Sequence, residues 1–561
     1  MIDHIVFISY LYIFLFSTIG YGIKFSSLIS VHLTNLNLGW YGIIGFFLIS
    51  IVSVITSFFI AHNFFHNLII HIIGLVFFLI YFLKYKKKKE FKILIYLSLA
   101  LLLGAYVFKN HDDFSYYHLT YTLNLSENSF IVGTGNFSHG FRTFSSLFYY
   151  HSTLYLPLIE YYLFHIGPFY ILIFFNFIIV KSLINKSKSN FNYLTHYYSL
   201  ISLIFVNVVF YRLGEHGTDR SAQILLVLIF LIFLEILSIN NQKKLLLSYV
   251  SLIVILISLA ASMKAIYYLY FLLIPIIFFK KKIFLEILNK QNFTIISIIF
   301  VSIILNLSIY YFNTGCFLYP AEQTCILKPD WSIPKEEVKL MSTHYEWWAK
   351  GGGGPGYAYD LKKEDYIKNF TWFHNWIDRH FFNKVLDTLL GIIFICLLVF
   401  LVFFYFRVQK KINVKYNYSL VYLILFIFFL EWFLNHPSMR YGGFVLIGLP
   451  IIIFSSSMIA RYEILKKNIY KLTIFFIILS LMVFNVRNII RIDKEANIYG
   501  YNIFKSPFYF IENVNSKIIL KNEHLKIFNP DKNCWASKTP CSYNTNLELK
   551  NFLWMNMVSR K

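Results

Sequence analysis

Residues 68–92 read LIIHIIGLVFFLIYFLKYKKKKEFK, an unbroken apolar run that ends in a cluster of lysines. The run from Leu68 to Leu83 contains a single charged or strongly polar side chain, His71, and is close to the length that crosses a bilayer as a helix. Lysines that flank such runs are retained on the cytoplasmic side of membranes. This one stretch therefore predicts both a membrane helix and the side of the membrane on which that helix ends.

The whole chain repeats this alternation of apolar runs and polar connections. Of its 561 residues, 58% are hydrophobic and 14% are charged, and the mean hydropathy is +0.60. We predict an all-α, polytopic transmembrane helical bundle of about 14 helices. The apolar runs are Ile5–Ile23, Trp40–Ile60, Leu68–Leu83, Phe91–Phe108, Phe169–Ile184, Leu194–Tyr211, Ile224–Ile239, Leu245–Met263, Ala265–Phe279, Phe293–Phe312, Val385–Phe406, Tyr418–Leu434, Phe444–Ile459 and Leu472–Val486.

The first run is predicted to be a retained helix, because it is too long for a signal-peptide core and has no basic leader or cleavage site. Basic tracts follow the third, fifth, seventh, ninth, eleventh and thirteenth runs. The positive-inside rule then places every tract in the cytoplasm and both chain termini outside.

High contents of Ile, Phe, Tyr, Lys and Asn favour a bacterial source. The predicted location is the bacterial inner membrane, with polar loops facing the periplasm or exterior.

The formal charge of +23 is spread over short tracts between the apolar runs. A nucleic-acid-binding protein would gather such charge on one face, so this class is not favoured. The distribution instead suits contact with anionic membrane lipids.

The cysteines support an oxidising location for the polar loops. Cys316 and Cys325 share one outside loop, and Cys534 and Cys541 share the outside tail. We predict two local disulfides from these close pairs. The alternatives are four free thiols or, less favoured at these spacings, a zinc site.

The sequence KNHDDFSYYHLTY, at 109–121, places Asp112 and Asp113 directly after the fourth apolar run. An acidic pair at a helix end is often just a solvated terminus. Here, carboxylates at a membrane boundary are costly enough to suggest a function. The following segment, Ser145–Ile166, is apolar and aromatic with no room for another crossing, so we predict an interfacial helix there.

This order of elements resembles the GT-C superfamily of integral-membrane glycosyltransferases. The motifs NHDDFSYYHLTY, GNFSHGF, GEHGTD, NTGCFLYPAEQTC and NHPSMRYGG look like a little-characterised bacterial envelope-polysaccharide group within it. The resemblance covers Phe91 to Val486. It implies that Asp112 or Asp113 is a catalytic base or holds a divalent metal, and that the donor is a sugar on a polyprenyl phosphate or diphosphate. Of the two aspartates, Asp112 is favoured as the base, because it lies nearer the helix end. The family usually has one helix before its acidic loop, whereas this chain has four apolar runs there.

The predicted organisation follows from that comparison. It comprises added N-terminal membrane helices (1–90), a GT-C-like core module (91–312), an extracytoplasmic loop (313–384), C-terminal membrane helices (385–486) and an extracytoplasmic tail (487–561).

A lipid-phosphate leaving group needs cations to neutralise it. The candidates on the outside are Lys264, Arg440, Arg212 and Arg220. Snorkelling to headgroups is the alternative for Lys264, and a plain interfacial turn is the alternative for Arg440. Arg212 and Arg220 flank LGEHGTD, so pairing with Glu215 and Asp219 is their alternative role.

Residues predicted to contact the sugar or the glycan or glycolipid acceptor are His118, His139, Glu215, His216, Trp347 and Trp348. Tryptophan rings stack on sugar faces, although an interfacial aromatic belt is the alternative role for them. His139 and His216 are also candidates for holding a metal with Asp112 or Asp113; no cofactor is implied with certainty.

The predicted function is that of an inverting membrane glycosyltransferase that acts in surface polysaccharide or glycolipid assembly. A flippase or transporter is the first alternative, but it needs charges midway through several helices, and these are nearly absent. An enzyme of the O-antigen-polymerase type is the second, with Arg220 and Arg440 as its outside arginines.

Overall fold

A computed structural model describes residues 2–29, 33, 35–185, 192–239, 242–289, 293–352, 361–411, 418–523 and 525–561. The described chain is mainly helical, as the apolar runs predict. Nine of its helices are long and apolar enough to cross a membrane, and three shorter apolar helices accompany them. The protein is therefore a multi-pass membrane protein by the length and composition of its helices.

The N-terminal helices are α1 (Ile2–Ile29), α2 (Leu38–Ser57), α3 (Phe64–Tyr85) and α4 (Lys88–Leu101). Glycines allow the first two to touch. A methyl group added to Gly22 would lie 1.7 Å from the carbonyl oxygen of Tyr41, and one added to Gly45 would lie 1.7 Å from that of Thr18. Close backbone approach of this kind replaces the hydrophobic effect as the source of helix association inside a membrane.

The middle of the chain forms α5 (Leu119–Glu127), α6 (Ser146–Ser152), α7 (Gly167–Asn185), α8 (Tyr193–Val209), α9 (Leu213–Ser238), α10 (Lys243–Met263), α11 (Leu273–Lys281), α12 (Phe284–Ile287) and α13 (Phe293–Thr314). Helices α7 to α10 form the most buried part of the bundle. Two buried amides join α7 to α8: Asn176 and Asn207 each donate to the other's side-chain oxygen at 2.9 Å. Such interhelical amide pairs hold membrane helices in register.

The C-terminal part forms α14 (Lys335–Lys350), α15 (Lys363–Tyr366), α16 (Phe373–Trp376), α17 (Leu386–Tyr405), α18 (Ser419–Asn435), α19 (Gly443–Ile459) and α20 (Lys466–Tyr499). Within the described ranges, six strands form three antiparallel pairs: β1 (Arg407–Lys411) with β2 (Tyr462–Ile464), β3 (Ser516–Lys521) with β4 (Lys526–Pro530), and β5 (Leu547–Phe552) with β6 (Met555–Arg560). We call the end of the bundle with the basic tracts the lysine end, and the opposite end the loop end.

Two of the fourteen apolar runs do not form long helices. Phe91–Phe108 falls on α4, which has 14 residues and ends in a 3₁₀ turn at Leu102–Gly104. Ala265–Phe279 begins as a 3₁₀ helix at Ala265–Leu272 and continues as the nine-residue α11. The structure supports a bundle of nine or more crossings, and the full count of fourteen stays a prediction.

The prediction of an interfacial helix over Ser145–Ile166 is wrong. Only α6, seven residues long, is helical there, and turns occupy most of the remainder. All seven residues of α6 are buried, because they pack against α2 and α5 rather than against a lipid surface. Aromatic content alone did not distinguish burial in protein from burial at an interface.

The tail corrects the all-α prediction, because it contains β3 to β6. It does not stand apart from the acidic loop either. Residues from 110–152, 315–350 and 500–561 contribute to one apolar cluster, and we call these three segments the loop-end cap. Ion pairs tie them together: Glu337 contacts Arg142 and Arg560, each at 2.6 Å.

Both predicted disulfides are present in the cap. Cys316 is bonded to Cys325 and Cys534 to Cys541. The fifth cysteine, Cys396, is a buried free thiol in α17.

Candidate functional site

A cavity of about 600 Å³ opens at the loop end, between the helix ends and the cap. Its walls come from the acidic loop, the start of α9, the junction after α10, α14 and the turn between α18 and α19. A volume of this size is in the range that holds a small ligand or part of a larger one. Charged side chains from four of these elements meet in it.

Only one residue of the acidic pair lines this cavity. Asp113 lines it, with a side chain 33% exposed, and its Oδ2 lies 3.3 Å from Nδ1 of His111. The Asp112 side chain is 91% exposed, does not line the cavity, and lies 3.7 Å from the Lys109 ammonium. Adjacent residues at the start of a helical turn point in different directions. Of the two candidate bases, the structure therefore favours Asp113, and Asp112 matches the solvated helix end.

Asp219 is the buried centre of the charges in the cavity. Its side chain is 6% exposed and accepts a hydrogen bond from the Lys264 ammonium. Its other oxygen, Oδ2, accepts from Nε of Arg440 at 2.7 Å, and Nη2 of Arg440 lies 3.4 Å from Oδ2 of Asp113. We call Asp113, Asp219, Lys264 and Arg440 the four-charge cluster. It holds two carboxylates and two cations, so its formal charge is zero.

Backbone breaks position these side chains. Helix α9 contains a non-helical residue at Gly217, with φ 43° and ψ −112°, just before Asp219. Gly442 has φ 101°, a left-handed conformation that lets the chain turn into α19 directly after Arg440. Lys264 is extended, with φ −155° and ψ 127°, and separates α10 from the 3₁₀ helix that follows. Asp219, Lys264 and Arg440 therefore lie at or beside helix breaks, where a side chain can leave the bundle wall.

Aromatic rings lie beside both cations. The Lys264 ammonium lies 4.2 Å from the centroid of the Tyr441 ring, and the Arg440 guanidinium lies 5.0 Å from that of Trp348. A cation over an aromatic face is stabilised by the ring's electrons without being neutralised. The rings therefore contact both cations without supplying a countercharge.

The pKa values follow from this arrangement. Burial raises the pKa of Asp113, but the His111 hydrogen bond and the nearby histidines and Arg440 outweigh it and hold that pKa below its usual range. Burial lowers the pKa of Arg440, but Asp219, Tyr441 and Asp113 raise it above its usual value. Burial dominates at Lys264 and lowers its pKa. Asp113 is therefore ionised and Arg440 is charged at neutral pH.

The cavity is also rich in imidazoles. His111, His118, His139, His344 and His436 line it. Burial lowers the pKa of His118 and of His436 to about 4, and it lowers the pKa values of His139 and His344 as well. These four rings are held in the neutral form at neutral pH, where they can donate or accept a hydrogen bond.

We expect the free energy of unfolding to fall as the pH is lowered from about 6.5 to about 4. In that range the unfolded histidines bind protons, whereas His118 and His436, with pKa values of about 4, do not. The stability due to these neutral rings is present above pH 6.5 and is lost toward pH 4. His118→Gln should make the decline less steep in thermal unfolding of protein in nanodiscs. His374→Gln, at a side chain 92% exposed, should leave the slope unchanged, and equal slopes for both variants would contradict this account.

The structure separates the other predicted site residues. His118, His139 and Trp348 line the cavity, whereas Trp347 is buried beside Lys363 and does not line it. The backbones of Glu215 and His216 lie in the first turns of α9, and their side chains are outside the described part of the structure.

The two arginines of the α9 region are not among the residues that line the cavity within the described chain. Arg220 lies over the ring of Phe444 at 5.6 Å and donates to the carbonyl oxygen of Val209. Asp219 pairs with Lys264 and Arg440 instead of with these arginines. The structure therefore does not support the predicted phosphate-binding role of Arg212 and Arg220, nor an Asp219–Arg220 pair.

Among the described residues, no group of three or more His, Cys, Asp or Glu side chains is placed to hold a metal ion. The carboxylates of Asp113 and Asp219 are already neutralised by Arg440 and Lys264. The chain's own cations thus pair with these carboxylates, and a divalent metal, which the sequence left possible at the acidic pair, does not fit this donor set.

Sequence reasoning missed Asp219 as a site residue, together with Tyr441, His344 and His436. One signal was present: Asp219 follows Gly217 closely, at the start of an otherwise unbroken apolar helix. A carboxylate at that position needs a cationic partner, and Lys264 begins the next connection on the same side of the membrane. The role of Arg440 as a partner of both aspartates could not be read from spacing.

Comparison with known proteins gives one match. No curated protein and no solved structure matches the chain significantly. A family model described as Domain of unknown function (DUF8201) matches residues 4–447, a range that includes every member of the four-charge cluster, most of α1 and all of α2 to α18. The added N-terminal helices are thus part of the family rather than an appendage to it. Since the match covers more than half of its length, the chain belongs to the DUF8201 family.

Proposed function

We propose that this protein is an inverting membrane glycosyltransferase that moves a sugar from a polyprenyl-phosphate or polyprenyl-diphosphate donor to a hydroxyl of a glycan or glycolipid. The observation that carries the proposal is the four-charge cluster, in which an ionised carboxylate and two cations face one cavity at the end of a membrane bundle. Glycosyl transfer from a lipid phosphate needs these two kinds of group within reach of each other.

Asp113 is the proposed base. The acceptor oxygen attacks the anomeric carbon as the bond from that carbon to the phosphate oxygen breaks. The hydroxyl proton passes to the Asp113 carboxylate, and the leaving phosphate keeps the bonding electron pair. Attack from the face opposite the leaving group inverts the anomeric centre.

Lys264 and Arg440 are the proposed phosphate ligands. In the free protein they neutralise Asp219 and Asp113. A donor phosphate that binds Arg440 weakens its interaction with Asp113, and Arg440 is one of the charges that hold the pKa of this carboxyl low. Donor binding thus raises the basicity of Asp113 when the acceptor must be deprotonated.

Trp348 and Tyr441 are the proposed sugar contacts, because both rings line the cavity beside the cations. The position of the four-charge cluster also supports a lipid-linked donor. The cluster lies where α9 and α10 meet the cap, so a phosphate bound there leaves its prenyl chain beside apolar helices.

The proposed site faces the periplasm or exterior of a bacterial inner membrane, because the basic tracts occupy the other end of the bundle. We expect a membrane-impermeant thiol reagent to label Asp112→Cys in intact cells and to label Lys88→Cys only after permeabilisation. Both side chains are exposed, and Cys396→Ala removes the one free native thiol. Labelling of Lys88→Cys but not Asp112→Cys in intact cells would put the site on the wrong face for this donor.

The function is tested by deleting the gene in its native host and analysing lipid-linked glycans by mass spectrometry. We expect a lipid-linked sugar to accumulate at the outer face and one sugar to be missing from the surface glycan. The wild-type gene should restore the product. Arg440→Gln should lower its rate of formation by a factor on the order of 10²–10³, the usual cost of removing a group that stabilises developing charge. Arg220→Gln, outside the cavity, is the matched control at equal protein level.

The same analysis separates the alternatives. A flippase would leave its lipid-linked substrate on the cytoplasmic face, where impermeant periodate cannot oxidise the sugar in intact cells. An enzyme of the O-antigen-polymerase type would leave single repeat units on the lipid and no chains of repeats. Loss of one sugar from every repeat is the pattern that supports the glycosyltransferase.

A further inference from the structure

The β5–β6 hairpin, which is part of the cap, ends in an exposed apolar tip. Its turn consists of Leu553 and Trp554, whose side chains are 71% and 63% exposed. Leu553 has φ 56°, a left-handed conformation that is uncommon for residues other than glycine, asparagine and aspartate. Polar residues lie further along the same hairpin, including Glu548 and Lys550. A soluble hairpin would carry Asn or Gly at such a turn, so this tip is unusual in both composition and backbone.

The tip is fixed at the ends of two candidate membrane helices. Trp554 stacks on Phe59, with ring centroids 5.8 Å apart and planes at 7°, and its Nε1 donates to the carbonyl oxygen of Phe58 at 3.0 Å. Phe552 lies 6.5 Å from Phe312, near the end of α13.

The short connection between α2 and α3 fixes the depth of these contacts relative to the bilayer. Only residues 58–63 connect α2 to α3, and both helices are apolar and long enough to cross a membrane. A connection this short lies at the membrane boundary. Phe59 and Ile60 within it are 63% and 49% exposed, so they form an apolar surface continuous with the hairpin tip.

We propose that the Leu553–Trp554 tip is a lipid-binding anchor that holds the C-terminal tail to the headgroup region of the membrane. Tryptophan is enriched at this depth because its ring is apolar while its N–H needs a polar partner, which the Phe58 carbonyl supplies. The surface is apolar and uncharged, so its partner is the lipid interface rather than an acidic or basic protein.

The anchor has a consequence for the cap. From the tip, β6 runs beside Val132, whose N–H donates to the carbonyl oxygen of Asn556 at 2.9 Å. At its far end Arg560 contacts Glu337 of α14, the helix that brings Trp348 to the cavity. The tip thus fixes one end of a strand whose other end supports the cavity wall. The proposal concerns membrane contact and does not depend on the reaction performed in the cavity.

The test uses a bimane label on a single cysteine in protein reconstituted into nanodiscs. Cys396→Ala removes the free thiol, and the other four native cysteines are disulfide-bonded. We expect lipids with a nitroxide near the headgroup to quench the label on Leu553→Cys several-fold more than the label on Lys550→Cys. Lys550 is the matched control, because it lies on the same hairpin with 43% of its side chain exposed.

A second measurement does not require a label at the tip. The double variant Trp554→Ser with Leu553→Ser should increase the rate of amide exchange in β5 and β6 several-fold. The single variant Trp554→Tyr keeps an interfacial aromatic ring, so its amides should exchange at close to the wild-type rate. The Cys534–Cys541 disulfide, checked by mass spectrometry, reports that the tail still folds. Equal quenching at both labelled positions, or quenching of both by aqueous iodide, would overturn the proposal. A label at position 553 shielded from lipid nitroxide and iodide alike would also overturn it, because another protein surface would then cover the tip.

Discussion

Asp113→Asn is expected to lower sugar transfer by a factor on the order of 10²–10⁴, the usual contribution of a general base. The amide keeps the size of the side chain and part of its hydrogen bonding, but it cannot take the acceptor proton. The neighbouring Asp112→Asn should leave transfer near the wild-type rate, because that side chain is 91% exposed and lies outside the cavity. Because the two aspartates are adjacent and chemically identical, Asp112→Asn is the matched control for Asp113→Asn.

The measurement is formation of the glycosylated product by each variant in the deletion host, at equal amounts of folded protein. Gel filtration with fluorescence detection checks the folding of both. The sequence alone favours Asp112, which lies nearer the helix end, whereas the structure places Asp113 in the cavity. Near wild-type activity of Asp113→Asn would remove the proposed base, and a large loss in Asp112→Asn alone would return the role to the exposed residue.

Asp219→Asn is expected to cost about 3–5 kcal/mol of stability, the usual penalty for removing one partner of a buried ion pair. Asp219 is the only carboxylate among the described residues that contacts both Lys264 and Arg440, and its side chain is 6% exposed. Without it, Lys264 loses its carboxylate partner and Arg440 keeps only Asp113 at 3.4 Å.

Thermal unfolding in nanodiscs measures this cost. The double variant Asp219→Asn with Lys264→Met should recover part of the lost stability, because it removes the cation that the single variant leaves unpaired. The methionine keeps an apolar stem against the Tyr441 ring. Asp112→Asn is the control for loss of a surface carboxylate and should unfold at the wild-type temperature. A single Asp219 variant as stable as the wild type would show that the cations do not depend on this buried carboxylate.

Much of the fold could be predicted from the sequence because membrane helices depend on local composition. The runs at Trp40–Ile60 and Leu245–Met263 correspond closely to α2 and α10. A residue in lipid must be apolar whatever its neighbours are, so a window along the chain is enough to find such helices. Composition did not predict Ser145–Ile166 correctly, because its only helix, α6, is short and buried among helices of the protein itself.

The candidate site could be predicted only in part. Asp113, Lys264 and Arg440 were identified, because charged residues at the ends of apolar runs are few and costly. Asp219 was considered only as an alternative partner of the nearby Arg212 and Arg220. In the structure, the Asp219 carboxylate accepts a hydrogen bond from Arg440, which is 221 positions away in the chain. Helix breaks at Gly217 and Gly442 turn these side chains toward one another, and no local pattern shows where a broken helix will point.

The sequence by itself determined that this is a multi-pass membrane protein, and it indicated which loops share a side and which cysteines pair. Membrane insertion depends on the cost of placing each residue in lipid, and the two disulfides join cysteines that are close in the sequence. Both properties can therefore be predicted from neighbouring residues. Only the tertiary structure decided that Asp113 rather than Asp112 faces the cavity, that Asp219 joins the two cations, and that the tail folds over the acidic loop. Those features depend on contacts between segments hundreds of residues apart, and their energies come from the burial that the assembled helices create together.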